Sequence, residues 1–161
     1  MSTDIAALRD QLVLFLDFHE AHVDFDAATK GVPPELRGVP PDGSPHSLWQ
    51  LLEHLRITQD DILDFWRNPG YVEKKWPEDY WPNTATPPSP TAWDESIAVF
   101  RRDREALKEL VADASVDLFA KIPHGTGQTY LREALLVADH NAYHLGQFVS
   151  ARRQLGIWPG A

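Results

Sequence analysis

Apolar residues recur every three or four positions in four stretches of this chain, and Pro/Gly-rich segments separate the stretches. The first runs from about Thr3 to Thr29 and carries Ile5, Leu8, Leu12, Phe15, Leu16, His19 and Val23 on one stripe. Ser2 or Thr3 is its expected cap, Asp4 favours its N-terminus, and Gly31 with Pro33-Pro34 stops it. The second starts at Ser47, where Ser47-Leu48-Trp49-Gln50 fits a capping box. Leu48, Leu51, Leu52, Leu55, Ile62, Phe65 and Trp66 form its stripe, and Asn68-Pro69-Gly70 ends it. The third opens with Thr91 as N-cap and carries Trp93, Ile97, Phe100, Leu107, Leu110 and Val111. Its charged run RRDRE reads as a solvated face. The fourth runs from about Thr129 to Leu155, with Leu131, Ala134, Leu135, Ala138, Ala142, Leu145 and Val149 on its main face, and Gly156 and Pro159 close it.

Between these stretches, VPPELRGVPPDGSP and YVEKKWPEDYWPNTATPPSP are too rich in proline for helix, and DLFAKIPHGTGQ reads as loop or short extended structure. Four amphipathic helices without a strand pair predict an all-α four-helix bundle, one domain spanning residues 1–161. The two long connections permit a non-sequential helix order. The second of them, residues 71–90, lies with three of the six tryptophans in or beside it: Trp76, Trp81 and Trp93. Its aromatic residues are expected to plug the bundle end or a dimer contact. The other reading places Trp76, Tyr80 or Trp81 as a roof over a pocket.

A chain of 161 residues, 43% hydrophobic, buries enough apolar surface to fold without cross-links. It has no cysteine, so disulfides, thiolate metal sites and cysteine nucleophiles are excluded. That fits a reducing cytoplasm, as does an N-terminus without a basic region and apolar run. The net charge of -9 repels phosphate backbones, so no nucleic-acid partner is expected. No apolar stretch approaches the roughly 20 residues that span a bilayer, so no membrane role is expected.

Seven histidines carry the candidate chemistry. His140 and His144 are four apart on the fourth helix, which stacks their imidazoles on one face, one turn apart. That spacing presents two nitrogens to one ion. It equally suits two bundle-edge histidines satisfied by water or carboxylates. His54, mid-helix at the edge of the second stripe, can complete a three-nitrogen set, or can be a partly buried polar residue. Three protein ligands and one open position make a catalytic metal centre. Glu133, on the face of His140 and His144, is a candidate to accept a proton from an imidazole or contact the metal; Asp61, on the side of His54, is a candidate to orient a ligand or act near bound water, but reads first as a solvated carboxylate. His19 falls on the first stripe; His22 follows it at a spacing that does not make HExxH; His46 and His124 are assigned to loops. Gly146 is expected to permit close helix approach. Phosphate-cradling loops, a GxSxG elbow and paired Glu-x-x-His motifs are absent.

Ser47-Leu48-Trp49-Gln50-Leu51-Leu52-Glu53-His54-Leu55 resembles the second-helix motif of the DinB-like superfamily, and Asp139-His140-Asn141-Ala142-Tyr143-His144-Leu145-Gly146-Gln147 resembles its C-terminal H-x-x-x-H-x-G-Q motif. The resemblance implies up-down-down-up helix order. It implies a divalent metal, zinc or nickel, on the histidines matching His54, His140 and His144. It also implies a homodimer and, by analogy with thiol-dependent S-transferases, a small-molecule substrate such as a low-molecular-weight thiol. A metal-dependent transferase or hydrolase is therefore the leading expectation, with a non-catalytic metal-binding or stress-related interaction protein as the alternative.

Overall fold

A computed structural model of the chain describes residues 3–17 and 21–159. Ser2, the side chain of Thr3 and His19 lie outside that description, and so do the expectations placed on them. Among the described residues five α-helices form: α1 (Thr3–Leu16), α2 (Phe25–Thr29), α3 (Leu48–Arg67), α4 (Ala92–Ala112) and α5 (Tyr130–Gln154). Single 3-10 turns occur at Pro34–Leu36 and Glu78–Tyr80. The described residues contain no strand, only one isolated bridge between Lys121 and Thr129. None of these helices is long and apolar enough to cross a membrane.

The first predicted helix is divided. α1 stops at Leu16, and Asp24 starts α2 by accepting the Ala27 amide proton at 2.6 Å. The three-to-four spacing of apolar residues runs on through the break, so periodicity could not reveal it. Phe15, placed on the stripe by the same spacing, is 53% exposed. The capping box at Ser47 forms as its residues dictate: Ser47 Oγ accepts the Gln50 amide and Gln50 Oε1 accepts that of Ser47. Thr129 caps α5 through the Arg132 amide, and Gly156, at φ 69°, closes it. Thr91 makes no side-chain cap on α4; Ser89 Oγ instead accepts the Ala92 amide at 3.1 Å.

α3 packs on both α4 and α5, and α1 packs on the other side of the same two helices, while α2 leans on α5. The shared core contains Leu16, Phe25, Leu52, Leu55, Leu63, Phe100, Leu107 and Phe148. Leu135 points outward, because the buried arc of α5 runs through Ala134, Val137, Ala138, Asn141, Leu145 and Phe148. The charged run on α4 is only partly solvated: Asp103 and Arg104 are buried, and Arg104 Nη2 lies 3.9 Å from Asp26. Two buried arginines hold helix ends. Arg9 donates to the carbonyls of Val111 and Val116, and Arg152 donates to that of Ala28 at 2.5 Å. Of these carbonyls, Val111 and Ala28 lie in the last turns of α4 and α2, where a helix leaves its acceptors without partners, and Val116 lies just beyond α4.

Candidate metal centre

Packing of α3 against α5 decides the site, because each helix brings imidazoles to that seam. His54 sits two turns into α3 and is 1% exposed. His140 and His144 stand one turn apart at mid-α5 and are half-buried. His54 Nε2 lies 3.1 Å from His144 Nε2 and 3.1 Å from His140 Nε2. One ligand nitrogen from each of the three lies within 4.8 Å of the others. Nitrogens bonded to one zinc at about 2.1 Å sit about 3.4 Å apart in a tetrahedral set. The spacing therefore fits a shared ion.

The outer ring nitrogens explain which inner atoms are free. His54 Nδ1 lies 2.8 Å from the Tyr80 carbonyl, which can only accept, so that nitrogen carries the proton. His144 Nδ1 pairs with Gln147 Oε1 at 2.8 Å, and His140 Nδ1 with Asn141 Oδ1 at 3.4 Å. With protons on Nδ1, three Nε2 lone pairs face one another. Such a set repels itself unless a proton or a cation lies among them. Protonation is opposed: burial, reinforced by the neighbouring rings, lowers His54 to about 4 and His140 to about 3. Burial also lowers His144. At neutral pH the rings are uncharged, which is the form that ligates a metal.

The long loop roofs this cluster. Trp81 stacks on His54 with ring centroids 3.8 Å apart and planes 2° from parallel, and His46 stacks on the other face of Trp81 at 3.8 Å and 12°. Trp76, 69% exposed, tilts at 6.5 Å from His54. The loop is pinned from below: Tyr80 OH donates to Asp61 Oδ2 at 2.8 Å, and Ser47 Oγ donates to the Ala85 carbonyl at 2.5 Å. The expected plug is thus a cover for His54. Neither His46 nor Trp81 could be assigned this place from periodicity, since both lie outside helices.

Asp61 and Glu133 stand apart from the trio. Asp61 accepts from Tyr71 and Tyr80, and Glu133 pairs with Arg132 at 2.8 Å. Both line a separate pocket of about 410 Å³ with Tyr71, Tyr80 and His124. His124 contacts the Phe65 carbonyl at 2.7 Å, and His22 is exposed beside the Val23 carbonyl. Gly146 is not a packing glycine: a Cβ there would meet nothing within 4 Å. It borders a pocket of about 560 Å³ with His46, Tyr143 and Gln147.

The fold and this cluster define an all-helical protein with a three-imidazole centre able to hold a metal ion. A family model described as the DinB superfamily matches residues 17–148, so the chain belongs to the DinB superfamily. The match begins just past α1 and ends inside α5, and it includes all three histidines. Comparisons with curated proteins and with solved structures gave no match.

Proposed function

We propose that His54, His140 and His144 hold one divalent metal ion, zinc or nickel, and that the protein is a metal-dependent enzyme of the thiol S-transferase or hydrolase type. The observation that carries this reading is the convergence of three Nε2 atoms whose outer nitrogens are engaged by acceptors. Three ligands leave a position for a small molecule, and the partial exposure of His140 and His144 puts that position on the solvent side. When bound, the ion supplies Lewis acidity that lowers the pKa of a water or thiol placed beside it. The chain's own part is to keep the rings neutral by burial, hold His54 against the Tyr80 carbonyl, and screen one side with Trp81.

The same reading takes the protein as one DinB-like domain. The ring of contacts α1–α4–α3–α5 supports an up-down-down-up bundle; a homodimer as the assembly and the cytoplasm as its place belong to the same proposal. Elemental analysis of the purified protein beside a His140→Ala/His144→Ala variant tests the centre: about one ion per chain is expected in the first and none in the second. Negligible metal in both removes the reading. Titration of a cobalt-substituted protein with low-molecular-weight thiols tests the substrate class, and an unchanged visible spectrum removes S-transfer in favour of hydrolysis.

A further inference from the structure

A line of amides beneath the histidines ends on an atom that leaves them no choice of orientation. Gln59 is 1% exposed and Asn141 is 2% exposed, in the seam of α3 and α5. Gln59 Nε2 lies 2.8 Å from the Phe100 carbonyl of α4. A carbonyl oxygen only accepts, so the NH2 end of Gln59 must face it and Oε1 must face away. That Oε1 lies 3.0 Å from Asn141 Nδ2, which must donate. Asn141 Oδ1 is thereby turned to His140 Nδ1, 3.4 Å away, where it can only accept. Each step follows from the one before, and the direction of the whole chain is set in α4, a helix with no side chain in the metal centre.

We propose that Gln59 and Asn141 are positioning residues: a one-way amide relay from the Phe100 carbonyl locks His140 in the Nδ1–H tautomer and so commits its Nε2 lone pair to the centre. Its consequence for affinity rests on the metal reading above; the tautomer itself does not. The three histidines are then unequal. His54 is locked by a backbone carbonyl and His140 by the relay. His144 leans on Gln147, an exposed residue whose amide is free to turn with the ring.

Two measurements test the relay. Long-range 15N–1H correlation spectra of the metal-free protein should show the proton of His140 on Nδ1; a proton on Nε2 overturns the proposal. Zinc affinity should fall ten- to a hundredfold in Gln59→Leu, the usual effect of removing an outer-shell partner. Gln59→Glu should recover most of it, because a buried carboxyl held protonated can donate to Phe100 and accept from Asn141. Circular dichroism checks that both variants are folded, and if Gln59→Leu is not, the spectrum of the unmodified protein decides. Equal zinc affinity in folded Gln59→Leu and the parent overturns the relay, whereas a parent without zinc affinity overturns only the metal reading.

Discussion

Acidifying the metal-stripped protein from pH 7 to pH 5 should remove a large share of its stability. Unfolded histidines titrate near 6.5, whereas folded His54 and His140 are lowered to about 4 and about 3, mainly by burial. Below pH 6.5 the unfolded chain therefore takes up protons that the folded chain refuses, and stability falls with pH. At about 1.4 kcal/mol per unit, the drop to pH 5 costs about 2 kcal/mol for each ring and about 4 kcal/mol for the pair. A domain of this kind has roughly 5–15 kcal/mol in all. Asp61, raised above the carboxylate range by burial, acts in the opposite sense, and it does so equally in a control lacking the two rings. Urea unfolding followed by circular dichroism at pH 7, 6 and 5, in the parent and in His54→Leu/His140→Leu, isolates the histidines. The parent should lose about 4 kcal/mol more than the double variant over this range. Parallel losses in the two proteins would refute the claim that these rings are held neutral.

Trp81→Ala removes two stacked ring pairs, each worth about 0.5–1.5 kcal/mol, so thermal unfolding should show a loss of about 1–3 kcal/mol; an unchanged Tm would mean that the stack with His46 and His54 does not hold the loop. Ser47→Ala deletes both the cap of α3 and the tie to the Ala85 carbonyl, and should cost about 1–2 kcal/mol in a denaturant titration. Gly146→Ala should do the reverse and stabilise by up to about 1 kcal/mol, since the added methyl meets nothing and alanine is the better helix former; a lower urea midpoint would show that this glycine is packed against something after all.

The start of α3 and both ends of α5 were legible because their signals are local: a hydroxyl at Ser47 or Thr129 facing the next turn's amides, and a glycine at 156 free to take positive φ. The His140–His144 pair was legible for the same reason, being one turn of one helix. His54 could be joined to them only as an expectation, since the seam between α3 and α5 is a tertiary fact. The break between α1 and α2 was hidden by apolar spacing that continues across it, although Asp24 is a cap residue in plain view. Trp81 over His54 stood in the sequence only as the second of two readings, because an aperiodic loop gives no rule for where its rings land. For Asn141, tuning of the site and plain helix-surface hydrogen bonding were equally open from the sequence, and the buried partner Gln59 decides between them. Gly146 misled in the other direction, since a helical glycine suggests a neighbour that the fold does not supply.

His54 and His144 are separated by 90 positions of chain. During synthesis His54 therefore emerges alone, and the two remaining donors appear only when α5, close to the end of the described chain, has left the ribosome. On the proposed reading, loading with metal follows the docking of α5 on α3. A product truncated before α5 would keep a well-capped α3 yet bring a single imidazole, too little to retain an ion against cellular chelators. Metal content would thus separate molecules with a docked α5 from those without one in a mixed preparation.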